Sequence, residues 1–250
     1  AISLFVSALM WPRGVITRMN ETLTEAVRAS TAYLIAAYDR FVQGPVADHA
    51  VSQAAFRADA AVSTAYETFD LSVAQGRSMT TFGPTWSFVA NAAGHIASSA
   101  DLVVYLASLG RMPATCPEAG DLLLVCSHAV AANANSAVEQ LAERITDSQT
   151  QEFCNTQAFS SDRFDQHNVA GLGDSFRRLE DRVDACLAYW ETKPADLADQ
   201  DLDRQALTLV WGQEWLIHLM WVANRIREAF PENEQPSSPA LSGNGGATAE

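Results

Sequence analysis

The sequence has few of the features that usually indicate the chemistry of a protein. Lysine occurs once, at Lys193, so nearly all of the 16 basic residues are arginines, and 30 acidic residues bring the net charge to −14. Most of such a surface would repel the phosphate backbone of DNA or RNA. The composition therefore argues against nucleic-acid binding, and we expect no nucleic-acid partner.

Catalytic and cofactor-binding motifs are also lacking. The sequence contains no G-x-S-x-G, P-loop, H-E-x-x-H or EF-hand motif. Gly171-Leu-Gly173 lacks both the third glycine and the preceding strand of a dinucleotide-binding fingerprint. No nucleophile is paired with a base, so the sequence predicts no catalytic residue, no cofactor and no enzymatic activity.

The cysteines are few and widely spaced. Cys116, Cys126, Cys154 and Cys186 form no C-x-x-C pair and thus no zinc signature. In a chain of this length they predict reduced, mostly buried thiols.

Charge is absent from the start of the chain. The apolar residues 1–12 precede the first charge, Arg13, and would span about 18 Å as a helix, against about 30 Å for the hydrocarbon core of a bilayer. Trp11 suits the headgroup layer, and the basic Arg13 and Arg18 are typical of a cytoplasmic loop. We therefore predict that residues 1–12 end a membrane helix, with the following domain on the cytoplasmic side of the cell membrane. A buried amphipathic helix of a globular protein is the alternative.

Apolar residues recur at steps of three and four along most of the remaining chain, which is helical spacing. No alternating run of β-branched residues predicts a strand. Glycine and proline, as in Gly44-Pro45 and Gly83-Pro84, mark the ends of the periodic segments. The predicted helices cover residues 15–42, 48–75, 83–109, 117–145, 176–190 and 202–230.

These helices predict an all-α fold, an antiparallel bundle of about six helices over residues 13–230. Residues 147–175 are polar and predict a long connector. Residues 231–250 are rich in proline and glycine and predict a disordered tail.

Two of the predicted helices, over 86–109 and 206–223, are apolar enough to be compared with membrane spans. Charged or polar residues interrupt both, and a charge near the centre of a bilayer costs about 2.5–3.5 kcal/mol. Both are therefore predicted to be buried helices of the bundle. The interrupting residues are His95 and Asp101 in the first, and Gln213, Glu214 and His218 in the second.

The candidate chemical residues each have a structural interpretation. Glu214 and His218 are four apart on one helical face and are possible metal ligands, but no Glu-x-x-His repeat accompanies them. A hydrogen-bonded Glu–His pair under Trp211 and Trp215 is the favoured interpretation, and no metal site is predicted.

Two further groups of residues also have both a functional and a structural interpretation. Cys126 and His128 are two apart and face different sides of a helix, which makes shared chemistry improbable. The tryptophans near the C-terminus either line a cavity for an aromatic compound or, as helical spacing favours, belong to the core. They are Trp190, Trp211, Trp215 and Trp221.

Three segments near the start of the chain occur in an order that is also found in a known protein family. They are Trp11-Pro12-Arg13-Gly14 after the apolar run, then TAYLIAAY at 31–38, then AAFRADAA at 54–61 followed by YETF at 66–69. This order resembles the junction between membrane helices and a helical cytoplasmic domain in the FUSC family, which is related to fusaric acid resistance proteins and aromatic acid exporters. The resemblance covers roughly the first 80 residues and carries no functional residue over.

The resemblance implies the cytoplasmic helical domain of a transporter-like inner-membrane protein, one that assists assembly or gating of the efflux of small aromatic or organic acids. Its partners would be the membrane, further copies of the chain and such an acid. Two other classes stay open from the residues alone. One is a free-standing helical interaction or ligand-sensing module, and the other is a metal-dependent bundle enzyme that uses Glu214 and His218.

Overall fold

The computed structural model describes residues 2–44, 48–74, 83–109, 116–151, 166–192 and 200–228, with side chains described over 16–44, 48–74, 83–109, 116–146, 173–192 and 204–226. Within these ranges the chain forms six helices and no strand, which confirms the predicted all-α bundle. The helices are α1 (Ile2–Gln43), α2 (Asp48–Ala74), α3 (Gly83–Leu109), α4 (Pro117–Gln151), α5 (Gln166–Glu191) and α6 (Gln200–Glu228).

Helix α1 lies at the centre of the bundle and contacts α2, α3 and α4. Its 42 residues give it a length of about 63 Å. Polar side chains fix its direction against α4, because Asn20 Nδ2 donates to the Ala142 carbonyl and Arg28 pairs with Glu139 at 2.6 Å. The two helices therefore run antiparallel. The large α1 side chains in the core are Met19, Leu23, Tyr33, Leu34, Tyr38 and Phe41.

The predicted stop at Gly44 is confirmed. Gly44 has a φ of 84°, which favours glycine, and its N–H donates to the Arg40 carbonyl at 2.8 Å. Arg40 also donates to the carboxylate of Asp48 at the start of α2 and to the Val104 carbonyl of α3. The end of α1 is thus tied to both neighbouring helices.

Helix α6 packs on α3 and α4, and a buried tyrosine joins it to α1. The Tyr38 hydroxyl donates to the Gly212 carbonyl at 2.7 Å. A Cβ atom at Gly212 would lie 3.4 Å from Phe41 Cε1, so the missing side chain lets Phe41 pack directly on α6. Burial raises the pKa of Tyr38 well above its ordinary value, and the neighbouring Cys126 adds to the shift. Tyr38 therefore stays neutral and a hydrogen-bond donor.

Three predicted helix limits differ from the structure by more than two residues: the start of α1, the end of α4 and the start of α5. The Trp11-Pro12-Arg13-Gly14 step does not separate two helices, because α1 continues through it from Ile2. The predicted connector over 147–175 is too long, since α4 extends to Gln151 and α5 begins at Gln166. Polar residues can extend a helix on its solvent side, where apolar periodicity gives no signal. Residues 152–165 and the predicted tail 231–250 lie outside the described residues.

Two of the four cysteines that were predicted to be reduced form a disulfide in the structure. Cys116 precedes α4 and Cys186 lies near the end of α5, and the antiparallel pairing of these helices brings them together as a disulfide with a Cα–Cα distance of 6.3 Å. Glu118 and Arg182 form an ion pair beside it. Cys126 is free and buried, while Cys154 lies outside the described residues.

Candidate functional site

Glu214 and His218, the predicted Glu–His pair, lie on the outer side of α6. Glu214 is exposed and His218 is half-buried, and no hydrogen bond joins them in the described part of the chain. The imidazole of His218 instead contacts aromatic rings. Its centroid lies 5.3 Å from that of His95 on α3, 5.8 Å from Trp215 and 6.1 Å from Trp221. The expected pair is thus replaced by an imidazole surrounded by aromatic rings.

This arrangement bears on the metal-site alternative. The arrangement brings two possible metal ligands together, the imidazoles of His95 and His218. The described residues contain no group of three or more His, Cys, Asp and Glu side chains placed to hold a metal ion. A structural or catalytic zinc needs three or four such ligands.

The prediction that the C-terminal tryptophans belong to the core is wrong for two of them. Trp211 and Trp221 are 48% and 56% exposed, while Trp190 and Trp215 are half-buried. The core side of α6 is formed by aliphatic residues, and the two exposed tryptophans lie on the opposite side of the helix. The buried aliphatic residues of α6 are Leu209, Leu216, Leu219, Val222, Ala223 and Ile226.

The exposed tryptophans belong to a larger surface, which we call the aromatic face. Helix α3 runs parallel to α1, because Asn20 bonds Trp86 and Tyr33 bonds Asp101. Helix α6 runs antiparallel to α1, because Gly212 bonds Tyr38 whereas Asn224 bonds Asn133 of α4, two residues from the Asn135 that bonds Thr31. Going back along α6 from the contact of His218 with His95 therefore corresponds to going forward along α3. This register places Leu102 at the level of Trp211. The aromatic face consists of His95, Leu102, Leu207, Trp211, His218 and Trp221.

A cleft of about 820 Å³ lies between α1 and α4. Its lining includes Glu21, Glu25 and Glu143, and its one basic residue, Arg28, is paired with Glu139. Such a lining repels an organic anion. The expected aromatic or organic acid therefore has no suitable place in this cleft.

Helix α3 is the one described helix with the length and apolar composition of a membrane span. It also contributes Trp86, Ile96 and Val103 to the core, packed against α1. A core helix meets the same criteria, and α3 was predicted to be buried in the bundle. Asp101, one of the polar residues that interrupt α3, is exposed and accepts a hydrogen bond from Tyr33 at 2.6 Å.

Cys126 and His128 lie apart, as predicted. Cys126 is fully buried and His128 is exposed. Burial raises the pKa of the Cys126 thiol to about 11, so that it stays protonated and unreactive at neutral pH.

No protein-family model matches this chain, and neither does any curated protein or solved structure. The resemblance to the FUSC family consequently rests on the segments quoted above.

Proposed function

We propose that this chain is the helical domain of a FUSC-type membrane protein, attached to the bilayer through residues 1–12. Its role is to assist assembly or gating during the efflux of small aromatic or organic acids. The acidic lining of the cleft between α1 and α4 argues against binding of the acid in that cleft.

The observation that carries the proposal is the continuity of α1. One helix contains both the uncharged residues 1–12 and the core residues from Met19 to Phe41. Because one helix joins these residues, a displacement of its first turns in the membrane would be passed to α2, α3 and α4, which pack against the rest of α1. Such a connection suits a domain that responds to, or restrains, a membrane part.

The side of the membrane follows from charge. The first charged residues after the apolar run, Arg13 and Arg18, are basic, and basic residues are retained on the cytoplasmic side. We therefore place the bundle in the cytoplasm, beneath the inner membrane.

Cell fractionation tests the attachment. We expect the full chain to sediment with membranes and to be released by detergent but not by high salt. Replacing both Leu4 and Leu9 with Asp should move most of it to the supernatant, because each charge in the hydrocarbon region costs about 2.5–3.5 kcal/mol. Leu71, which is 62% exposed on α2, offers a control for the same type of substitution: Leu71→Asp should leave the chain on the membrane.

A wild-type chain that stays in the supernatant after ultracentrifugation would contradict the proposal and favour a free-standing helical module. The same conclusion would follow if the double variant and the wild type were distributed alike between pellet and supernatant.

A further inference from the structure

We propose that the Cys116–Cys186 bridge is a thiol–disulfide exchange site, which a dithiol reductant opens and an oxidised dithiol closes. The state of the bridge then sets how firmly α5 is held against α4. The proposal goes beyond the membrane role given above. It uses the beginning of α4 and the end of α5, and not the start of α1, so the two proposals can fail separately.

A surface cleft gives access to the bridge. Cys116 and Cys186 are 3% and 7% exposed, so protein covers most of their surface. Both nevertheless line a cleft of about 220 Å³ between the start of α4 and the end of α5. Tyr189, another residue of the lining, is 54% exposed, so the cleft opens to solvent. A small thiolate can therefore reach the sulfurs while the bundle stays folded.

The position of Cys116 decides which sulfur leaves during exchange. Its carbonyl accepts hydrogen bonds from the N–H groups of Ala119 and Gly120 at 3.2 and 3.4 Å, which makes Cys116 the N-cap residue of α4. The N–H groups of a first helical turn and the positive end of the helix dipole favour a thiolate. Cys186 lies near the other, negative end of α5. Cys116 is thus the better leaving group, and we expect attack at the sulfur of Cys186.

The exchange takes two steps and conserves electrons. A thiolate of the reductant attacks Cys186 Sγ and forms a mixed disulfide with it, while the bond to Cys116 breaks and Cys116 leaves as a thiolate. The second thiolate of the dithiol then attacks the sulfur of the reductant in the mixed disulfide, and Cys186 leaves. The dithiol becomes a disulfide and gives up two electrons and two protons, which convert the bridge into two thiols.

Opening the bridge removes a large part of what holds the end of α5. Among the described residues of α5, those that are buried are Leu179, Val183 and Cys186 itself. The neighbouring ion pair of Arg182 with Glu118 joins the same two helices, but both side chains are about half exposed, and such a pair contributes little. We therefore expect α5 to open locally more often once the bridge is reduced.

The bridge also lies at the end of the bundle that a soluble reductant reaches in the orientation proposed above. Helix α4 runs antiparallel to α1, since Asn20 bonds Ala142 and Thr31 bonds Asn135. At 1.5 Å per residue, this register puts the start of α4 roughly 55 Å beyond residue 12 along the axis of α1. The accessibility in the cell rests on the proposed function, whereas the exchange chemistry does not.

The rate of reduction tests access to the bridge. The full chain, purified in detergent with the bridge closed, is treated with dithiothreitol at neutral pH, and the remaining disulfide is measured by alkylation and mass spectrometry. The same measurement on the chain unfolded in urea gives the rate for a fully exposed bridge. We expect the native rate to lie within about tenfold of the unfolded rate. A larger difference would show that the fold shields the bridge and would overturn the proposal.

Glutathione, a monothiol, identifies the sulfur that is attacked, because it stops at the mixed disulfide. We expect glutathione on Cys186 and a free, alkylated Cys116 at least about ten times as often as the reverse. Peptide mass spectrometry separates these two cysteines from Cys126 and Cys154. Equal labelling, or a preference for glutathione on Cys116, would overturn the part given to the N-terminus of α4.

Amide hydrogen exchange tests the consequence for α5. Reduction should speed exchange in α5 at least about tenfold more than in α2, which packs on α1 and α3, away from the bridge. The double variant Cys116→Ala with Cys186→Ala is the control, and its α5 should exchange like that of the reduced wild type, with or without reductant. An α5 that exchanges alike in oxidised and reduced wild type would contradict the coupling of the bridge to α5.

These results are independent of membrane attachment. Exchange at the bridge is measured in detergent without a bilayer, whereas attachment is measured by fractionation with substitutions at Leu4 and Leu9. A chain that fails one test and passes the other identifies which proposal is wrong.

Discussion

Reduction of the Cys116–Cys186 disulfide is expected to lower the free energy of unfolding by about 4 kcal/mol. The bridge closes a loop with a sequence separation of 70 residues, and in the chain-entropy description a loop of that size is worth about this much. It also fixes the end of α5, a helix that contacts α4 and α6 in the described structure. Urea unfolding followed by circular dichroism, with and without reductant, measures the difference.

A double variant, Cys116→Ala with Cys186→Ala, separates the bridge from other effects of the reductant. Its midpoint in urea should match that of the reduced wild type and should not move when reductant is added. Equal midpoints for oxidised and reduced wild type would show that the bridge does not constrain the unfolded chain.

The redox state of this cysteine pair in cells also tests the compartment in which the domain lies. Disulfides persist in oxidising compartments and are rare in the cytosol. If the bundle faces the cytoplasm, as we propose, alkylation of intact cells before lysis should find Cys116 and Cys186 as thiols that pair on oxidation of the purified protein. A disulfide already present in cells would place the bundle on the oxidising side instead.

Replacing Tyr38 with Ala is expected to cost about 4 kcal/mol, since removing a fully buried aromatic ring leaves a cavity. This ring lies where α1 meets α6, and its hydroxyl donates to the Gly212 carbonyl at 2.7 Å. Tyr38→Phe keeps the ring and should cost about 1 kcal/mol, the net value of a typical hydrogen bond.

Tyr105 is the matched control, because it is 59% exposed on α3. Both Tyr105→Phe and Tyr105→Ala should stay within about 0.5 kcal/mol of the wild type in urea unfolding. If Tyr38→Ala were as stable as Tyr105→Ala, the packing of α6 on α1 would differ from the structure described above.

Most of the fold could be predicted because helical periodicity and chain breakers act locally. Gly44 needs a positive φ and Gly83-Pro84 begins a helix, so these limits are readable without knowledge of the neighbours. The limits at Gln151 and Gln166 were missed because they fall in polar sequence, where no apolar pattern indicates a helix.

The candidate site was harder to predict because it depends on which helices become neighbours. Helical spacing places Trp211, His218 and Trp221 on one side of α6, but it does not indicate whether that side meets the core or solvent. His95 joined the cluster only through the packing of α3 on α6, and Cys116 met Cys186 only through that of α5 on α4. Such tertiary pairings leave no local pattern.

In the function proposed above, α1 is one helix that leaves the bilayer and enters the core of the bundle. A nitroxide scan over residues 4–18 in reconstituted vesicles measures this directly, in a chain with Cys126 and Cys154 replaced by Ala and the disulfide retained. We expect dissolved oxygen to broaden the nitroxide spectra at positions up to about Trp11. From Arg13 onward, we expect a water-soluble nickel chelate to broaden them instead. Chelate accessibility at every position, or protection from both reagents throughout, would contradict the account.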